Sequence, residues 1–189
     1  MPPLHLCVLD LEATCWQDQP PAQNEIIELG ALHFDPQLGT RSEFQTFVRP
    51  RLAPQLSDFC RELTSITQHQ VDTAPHFPEA FAAFQLWRSS LPPDHVLASW
   101  GAYDRKQLLL DTALHGIPFE IPRHLNIKHA FAELTGTRPM SMSGALGLLR
   151  LPLHGTHHRG IDDARNIARI LAHLLERFGE AVGEKVRQY

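Results

Sequence analysis

The segment VLDLEATCW, residues 8–16, sets two carboxylates, Asp10 and Glu12, on an apolar run. Burying an unpaired carboxylate costs several kcal/mol or forces it to take up a proton. Two further acids stand at element junctions. Asp104 opens a helix just after the apolar run HVLASW, and Asp163 opens the last long helix. In open α/β sheets, sites gather at strand ends and helix starts. Four carboxylates brought together there repel unless cations neutralise them. An all-oxygen donor set suits Mg²⁺ or Mn²⁺ rather than zinc. Two such ions side by side are the usual device for in-line phosphodiester hydrolysis. The competing account is that these acids are unrelated caps and surface charges, since Asp-x-Glu alone is a common triplet.

The elements that must position these acids follow from hydrophobic periodicity. Residues 4–12 alternate, so that Leu4, Leu6, Val8, Asp10 and Glu12 share one face of a strand. A loop over 13–24, marked by Pro20 and Pro21, leads to a strand at 25–34, a turn at 35–40 and a strand at 41–50. Short helical turns are expected over 51–76. Phe77, Ala80, Phe81, Phe84 and Trp87 recur at helical spacing, so 76–87 reads as an amphipathic helix with a core face. A buried strand over 95–100, a helix over 104–116, a strand running into a helix over 125–136, a small helix over 141–151 and a long helix over 161–179 complete the chain. A three-stranded meander followed by alternating helices and strands implies an α/β fold, a mixed central sheet flanked by helices. Residues 1–189 read as a single domain.

The phase of the last helix separates Asp162 from Asp163. Its apolar stripe is Ile167, Ile170, Leu171, Leu174, Leu175 and Phe178. Four residues back from Ile167 is Asp163, which should therefore point toward the sheet and Asp10. Asp162 and Asn166 belong to the polar series with Arg169 and His173 and should face outward.

Five ordered segments, VLDLEATCW, NEIIELGAL, LSDFCRELTSITQHQVD, SWGAYDRKQL and HHRGIDDARNIARI, together resemble the DEDD 3′–5′ exonuclease superfamily in its histidine-bearing subclass. The likeness spans residues 4–176 and is nearest to the exoribonuclease branch, which includes histone-mRNA and small-RNA-trimming enzymes and bacterial KapD-like proteins. It implies a ribonuclease-H-like fold, two metal ions and stepwise release of 5′-mononucleotides from a single-stranded 3′ end, preferably of RNA. By the family pattern Asp10, Glu12, Asp104 and Asp163 hold the metals and His158 is the general base. Tyr103 stands where the eukaryotic branch tends to carry tryptophan, and Trp100 lies a few residues earlier.

His154, His157 and His158 have a spacing that could suggest zinc, but Pro152, Gly155 and Gly160 make the segment a loop, where helical spacing has no meaning. A free imidazole in that loop is suited to accepting a proton. In the family, positions such as Ala13 and Thr14 touch the terminal nucleotide; a loop hydroxyl is the equal alternative for Thr14. Trp16, Phe59 and Tyr103 are candidates for stacking on a terminal base, worth ~1–3 kcal/mol, against core packing. Arg159 and Lys106 read as phosphate contacts or solvated surface.

The formal net charge is −4, which argues against coating long duplexes and leaves room for a local grip on a short end. The start MPPLHL lacks a basic, then apolar, leader, and no apolar run is long enough to span a membrane, so a cytoplasmic protein is expected. Cys7, Cys15 and Cys60 fit no disulfide or zinc framework. Two other readings stand beside RNA trimming: the same chemistry on DNA, and a regulator that uses the fold to bind a protein. Retention of all five residues of the pattern speaks against the regulator.

Overall fold

The computed structural model describes residues 5–18, 21–121 and 123–187. Leu4 and Pro20 lie outside them. The first strand, β1, runs Leu6–Ala13. Leu6, Cys7, Val8 and Leu9 are all fully buried, because both faces of this strand are covered. It pairs antiparallel with β2, Ile26–Asp35, which in turn pairs antiparallel with β3, Gly39–Phe47. After α1 (Asp58–Thr64), α2 (Gln68–Asp72) and α3 (Phe77–Ser89), β4 (Val96–Ser99) adds parallel to the other edge of β1. Then follow α4 (Tyr103–Leu114), β5 (His124–Asn126, parallel to β4), α5 (Ile127–Thr135), α6 (Met142–Leu149), α7 (Gly160–Phe178) and α8 (Glu180–Arg187). The order across the sheet is β3-β2-β1-β4-β5. This is the expected mixed sheet flanked by helices.

One face of β1 presents Leu6 and Val8 to a core with Phe131, Leu146, Ile167, Ile170 and Leu171, from α5, α6 and α7. The other presents Cys7, Leu9 and Leu11 to a core with Phe77, Phe81, Phe84 and Leu108, from α3 and α4. Asp10 and Glu12 continue the first face beyond the end of its apolar part. Ser57, Thr67, Asn126 and Ser141 cap α1, α2, α5 and α6 through their side chains, which explains where those helices begin.

The last long helix ends at Phe178 with Gly179 as its C-cap, as expected, and the chain continues into α8, whose Val182 is buried. One expectation is corrected. Asn166 does not face outward: it is fully buried. The loop before α7 folds over this helix face, and Asn166 accepts from the His154 N–H at 3.1 Å and donates to the carbonyls of His154 at 2.8 Å and Asp162 at 2.9 Å. Among the described residues no helix is long and apolar enough to cross a membrane.

Candidate metal and active site

Pairing between β1 and β4 ends at Val8 and Ala98. Beyond it the start of α4 enters the gap, and Asp104 takes over as acceptor for β1: its Oδ1 receives the Leu11 N–H at 3.0 Å. Over β1 the start of α7 crosses close by. A β-carbon on Gly160 would stand 2.8 Å from the Asp10 carbonyl oxygen. The first turn of α7 therefore rests on β1, and Asp163, inward as the helix phase predicts, is 4% exposed.

Carboxylate oxygens of Asp10, Glu12 and Asp163 all lie within 4.8 Å of one another. Asp104 stands beside Asp10 and is the largest of the charges acting on it, ahead of Glu12, Asp163 and Glu28. Burial, and then these acidic neighbours, hold the Asp10 carboxyl well above the ordinary carboxylate range. Burial, then Asp163 and Glu28, push Glu12 up to about 8. Burial raises Asp104 to about 6, against the pull of the Leu11 N–H. The four charges that act most strongly on Asp10 all have the sign of its own carboxylate. A buried set of oxygen donors that repel one another fits hard divalent cations.

His158 sits in the loop before α7 with a left-handed backbone, φ 62°. Its N–H donates to Asp163 Oδ2 at 3.0 Å. Burial and the neighbouring His157 press its imidazole below the ordinary value, so it is neutral at pH 7 and able to accept a proton. The ring of His157 stacks on that of His158, centroids 4.0 Å apart, and its Nδ1 lies 3.0 Å from Asp163 Oδ2. Sequence reasoning weighed His157 only as part of a zinc spacing with His154 and His158 and set it aside; adjacency to His158 was the available signal.

The expected substrate contacts divide. Thr14 is 1% exposed; its hydroxyl accepts the Glu25 N–H at 3.0 Å and its own N–H donates to the Glu25 carbonyl. That bond fastens the end of β1 to the start of β2 and uses the hydroxyl only as an acceptor. The Ala13 carbonyl accepts a weak hydrogen bond from the Cys60 thiol. Tyr103 is half-exposed at the start of α4, and burial, against the opposing effect of a bond with Asn24, raises its phenol to about 12. Phe59 on α1 and Trp16 after β1 also keep accessible ring surface. The Arg159 Nε donates to Glu28 Oε2 at 3.0 Å.

Glu28 is the acid that sequence reasoning passed over. It is fully buried on β2, directly opposite Glu12 in the strand register. Its signal lay in NEIIELGAL, where an acid interrupts an otherwise apolar strand just as Asp10 does.

The Exonuclease (RNase T) family model matches residues 7–171. Among solved structures, the nuclease domain of 3′hExo, a DEDDh family member bound to rAMP, superposes with a TM-score of 0.87 and 32% identity, over 93% of this chain and 94% of that one. A 3′-exonuclease from a structure of 3′-end-specific recognition of the histone mRNA stem-loop superposes at 0.84 with 30% identity, over 92% of this chain and 82% of that one. Human 3′-5′ exoribonuclease 1 is 31% identical over 183 residues, covering 91% of this chain and 52% of that protein. The chain thus spans about half of that relative's length, and 28% of the Xenopus laevis ERI1 exoribonuclease 2 it also matches. The fold is that of ribonuclease-H-like nucleases.

Proposed function

The chain belongs to the Exonuclease (RNase T) family, and from that premise we propose that it is a divalent-metal-dependent 3′–5′ exonuclease. It removes 5′-mononucleotides from single-stranded 3′ ends, with RNA preferred. Residues 1–189 act as one exonuclease domain, and its place of action is the cytoplasm.

The observation that carries this reading is the meeting of Asp10, Glu12 and Asp163 within 4.8 Å, with Asp104 behind Asp10 and His158 hydrogen-bonded through its backbone to Asp163. Asp10, Glu12 and Asp163 would hold one of two Mg²⁺ or Mn²⁺ ions, and Asp10 with Asp104 the other. Such ions, when bound, supply charge for the phosphodiester oxygens and acidify the attacking water. The protein's own residues do the rest. The neutral His158 imidazole takes a proton from the water. The Asp163 carboxylate, by accepting the His158 N–H, fixes the turn on which that imidazole rides. Trp16, Phe59 and Tyr103 offer ring surface for a terminal base, and the backbone at Ala13 lies beside it. In this reading Thr14 fastens the end of β1 through Glu25 and keeps its hydroxyl proton for the terminal nucleotide.

The preference for RNA is supported by the relatives, whose names are exoribonucleases. Its physical route is a hydrogen bond to the terminal 2′-OH, the group that distinguishes the two substrates. Such a bond is worth about 0.5–1.5 kcal/mol net, so the preference is modest. The test is incubation with matched RNA and DNA oligomers, labelled at either end, in Mg²⁺, in Mn²⁺ and in EDTA. A ladder growing from the 3′ end, abolished by EDTA and faster on RNA, is expected. No cleavage in any lane would overturn the reading in favour of a binding protein; equal rates on DNA would remove the RNA preference.

A further inference from the structure

Glu12 and Glu28 face each other across the antiparallel β1–β2 pair. Like charges directly opposite destabilise a sheet, so the second acid calls for a physical reason. Its carboxylate is not part of the Asp10, Glu12 and Asp163 group. Instead it is spent on three donors. Oε1 accepts from Gln45 Nε2 at 2.6 Å. Oε2 accepts from Arg159 Nε at 3.0 Å and from the Gly160 N–H at 3.1 Å.

Those last two partners are consecutive residues on the far side of His158. Gly160 is the first residue of α7, and Arg159, in the N-cap place, makes no side-chain cap. The leading N–H groups of a helix lack partners within it, and a carboxylate there is favoured by the helix dipole. Glu28 supplies from β2 the cap that the local sequence lacks. The Arg159 guanidinium balances its charge and lies 5.1 Å over the Phe47 ring. The turn from His157 to Gly160 is thus held at both ends: by Asp163, which accepts the His158 N–H, and by Glu28, which accepts from Arg159 and Gly160. A left-handed non-glycine residue such as His158 persists where its surroundings over-determine it.

We propose that Glu28 is a positioning residue: through Arg159 and Gly160 it holds the His158 turn and the first turn of α7 in register with Asp10 and Glu12, without being a metal ligand. The kinetic part of this proposal rests on the exonuclease reading above; the structural part does not.

The test compares the wild type with Glu28→Gln, which keeps the shape and one acceptor, and with Arg159→Ala, a change at a partly exposed residue. Amide hydrogen exchange over residues 157–163 is read first. Both variants should speed exchange at His158 and Gly160 by about tenfold or more, while exchange within β1 stays unchanged. Kinetics on a labelled RNA are read second. The expected pattern is a drop in kcat of about tenfold or more in both variants with KM unchanged, and a weakening of the Mn²⁺ midpoint no larger in Glu28→Gln than in Arg159→Ala, because Asp163 rides on the same turn. Unchanged exchange in both variants overturns the proposal, and so does a Mn²⁺ midpoint shifted in Glu28→Gln but not in Arg159→Ala, which would make Glu28 a ligand. If Glu28→Gln does not fold, Arg159→Ala decides alone. If the wild type cleaves nothing, the exonuclease reading fails and the exchange result still decides the role of Glu28.

Discussion

Gly30 on β2 and Gly160 at the start of α7 meet backbone to backbone: a β-carbon on Gly30 would stand 2.2 Å from the carbonyl carbon of Gly160. No side chain intervenes, so α7 sits as low on the sheet as a helix can. Gly30 is also the register partner of Asp10. The contact that seats the helix is therefore the one that brings Asp163 to Asp10.

Gly30→Ala should lift the start of α7 away from β1. Overpacking of this kind costs about 1–3 kcal/mol. Activity should fall further than stability does, because the carboxylates separate. Gly147, exposed within α6 with nothing near its missing β-carbon, is the control. Gly147→Ala should gain about 0.5–1 kcal/mol with activity unchanged. Thermal melts and mononucleotide release on both variants check this; a fully active Gly30→Ala would refute the seating argument.

Stability of the metal-free protein should fall as pH rises from about 6.5 to about 8; below that range the histidines that burial holds under their ordinary value, His33, His95, His115, His124 and His158, act in the opposite sense. The sign follows from raised folded-state values. Asp104 and Glu12 keep their protons in the folded state up to about 6 and about 8, while the unfolded chain releases them near the ordinary carboxylate values. Folding is therefore favoured by this term below the unfolded values, and the advantage is lost as pH passes through the folded ones. Asp10→Asn should flatten the decline by removing one of the repelling charges, and should be more stable than wild type in EDTA at pH 8. Saturating Mn²⁺ should oppose the decline in the wild type alone. Melting temperature against pH in EDTA, with and without Mn²⁺, is the measurement; a metal-free wild type that gains stability over this range would contradict it.

Asp162 and Asp163 are adjacent and should behave oppositely. Asp163→Asn should abolish cleavage and weaken metal binding. Asp162 accepts the Thr156 N–H at 2.9 Å and pairs with Arg165, itself a half-exposed side chain. Asp162→Asn keeps an acceptor and loses an exposed ion pair, so it should cost at most about 1 kcal/mol with near-normal turnover. Mn²⁺-dependent release by the two variants decides it. A dead Asp162→Asn beside an active Asp163→Asn would overturn the assigned metal site.

His158→Ala should lower kcat by about 10²–10⁴-fold, the usual worth of a general base. Metal affinity should hold, because the backbone N–H that reaches Asp163 remains. Calorimetric Mn²⁺ binding and single-turnover rates on RNA separate the two effects. A turnover within a few-fold of wild type would remove His158 from the mechanism.

Local periodicity alone determines much of this protein. Asp10 and Glu12 share a face because strand side chains alternate. Asp163 points inward because four residues make about one helical turn. Both are properties of a single element, and both hold in the folded chain. The residues that periodicity misses or misplaces depend on partners far along the chain. Asn166 lies on the polar side of α7, and only the loop carrying His154 buries it. The Thr14 hydroxyl accepts the N–H of Glu25, the residue just before β2. Glu28 is joined to Arg159 and Gly160 from 131 and 132 residues away. A pattern of apolar residues states which way a side chain points. It does not state which donor will be waiting there, since that is decided by the closure of α7 onto β1 and β2, where two glycines permit an approach that no side chain would allow.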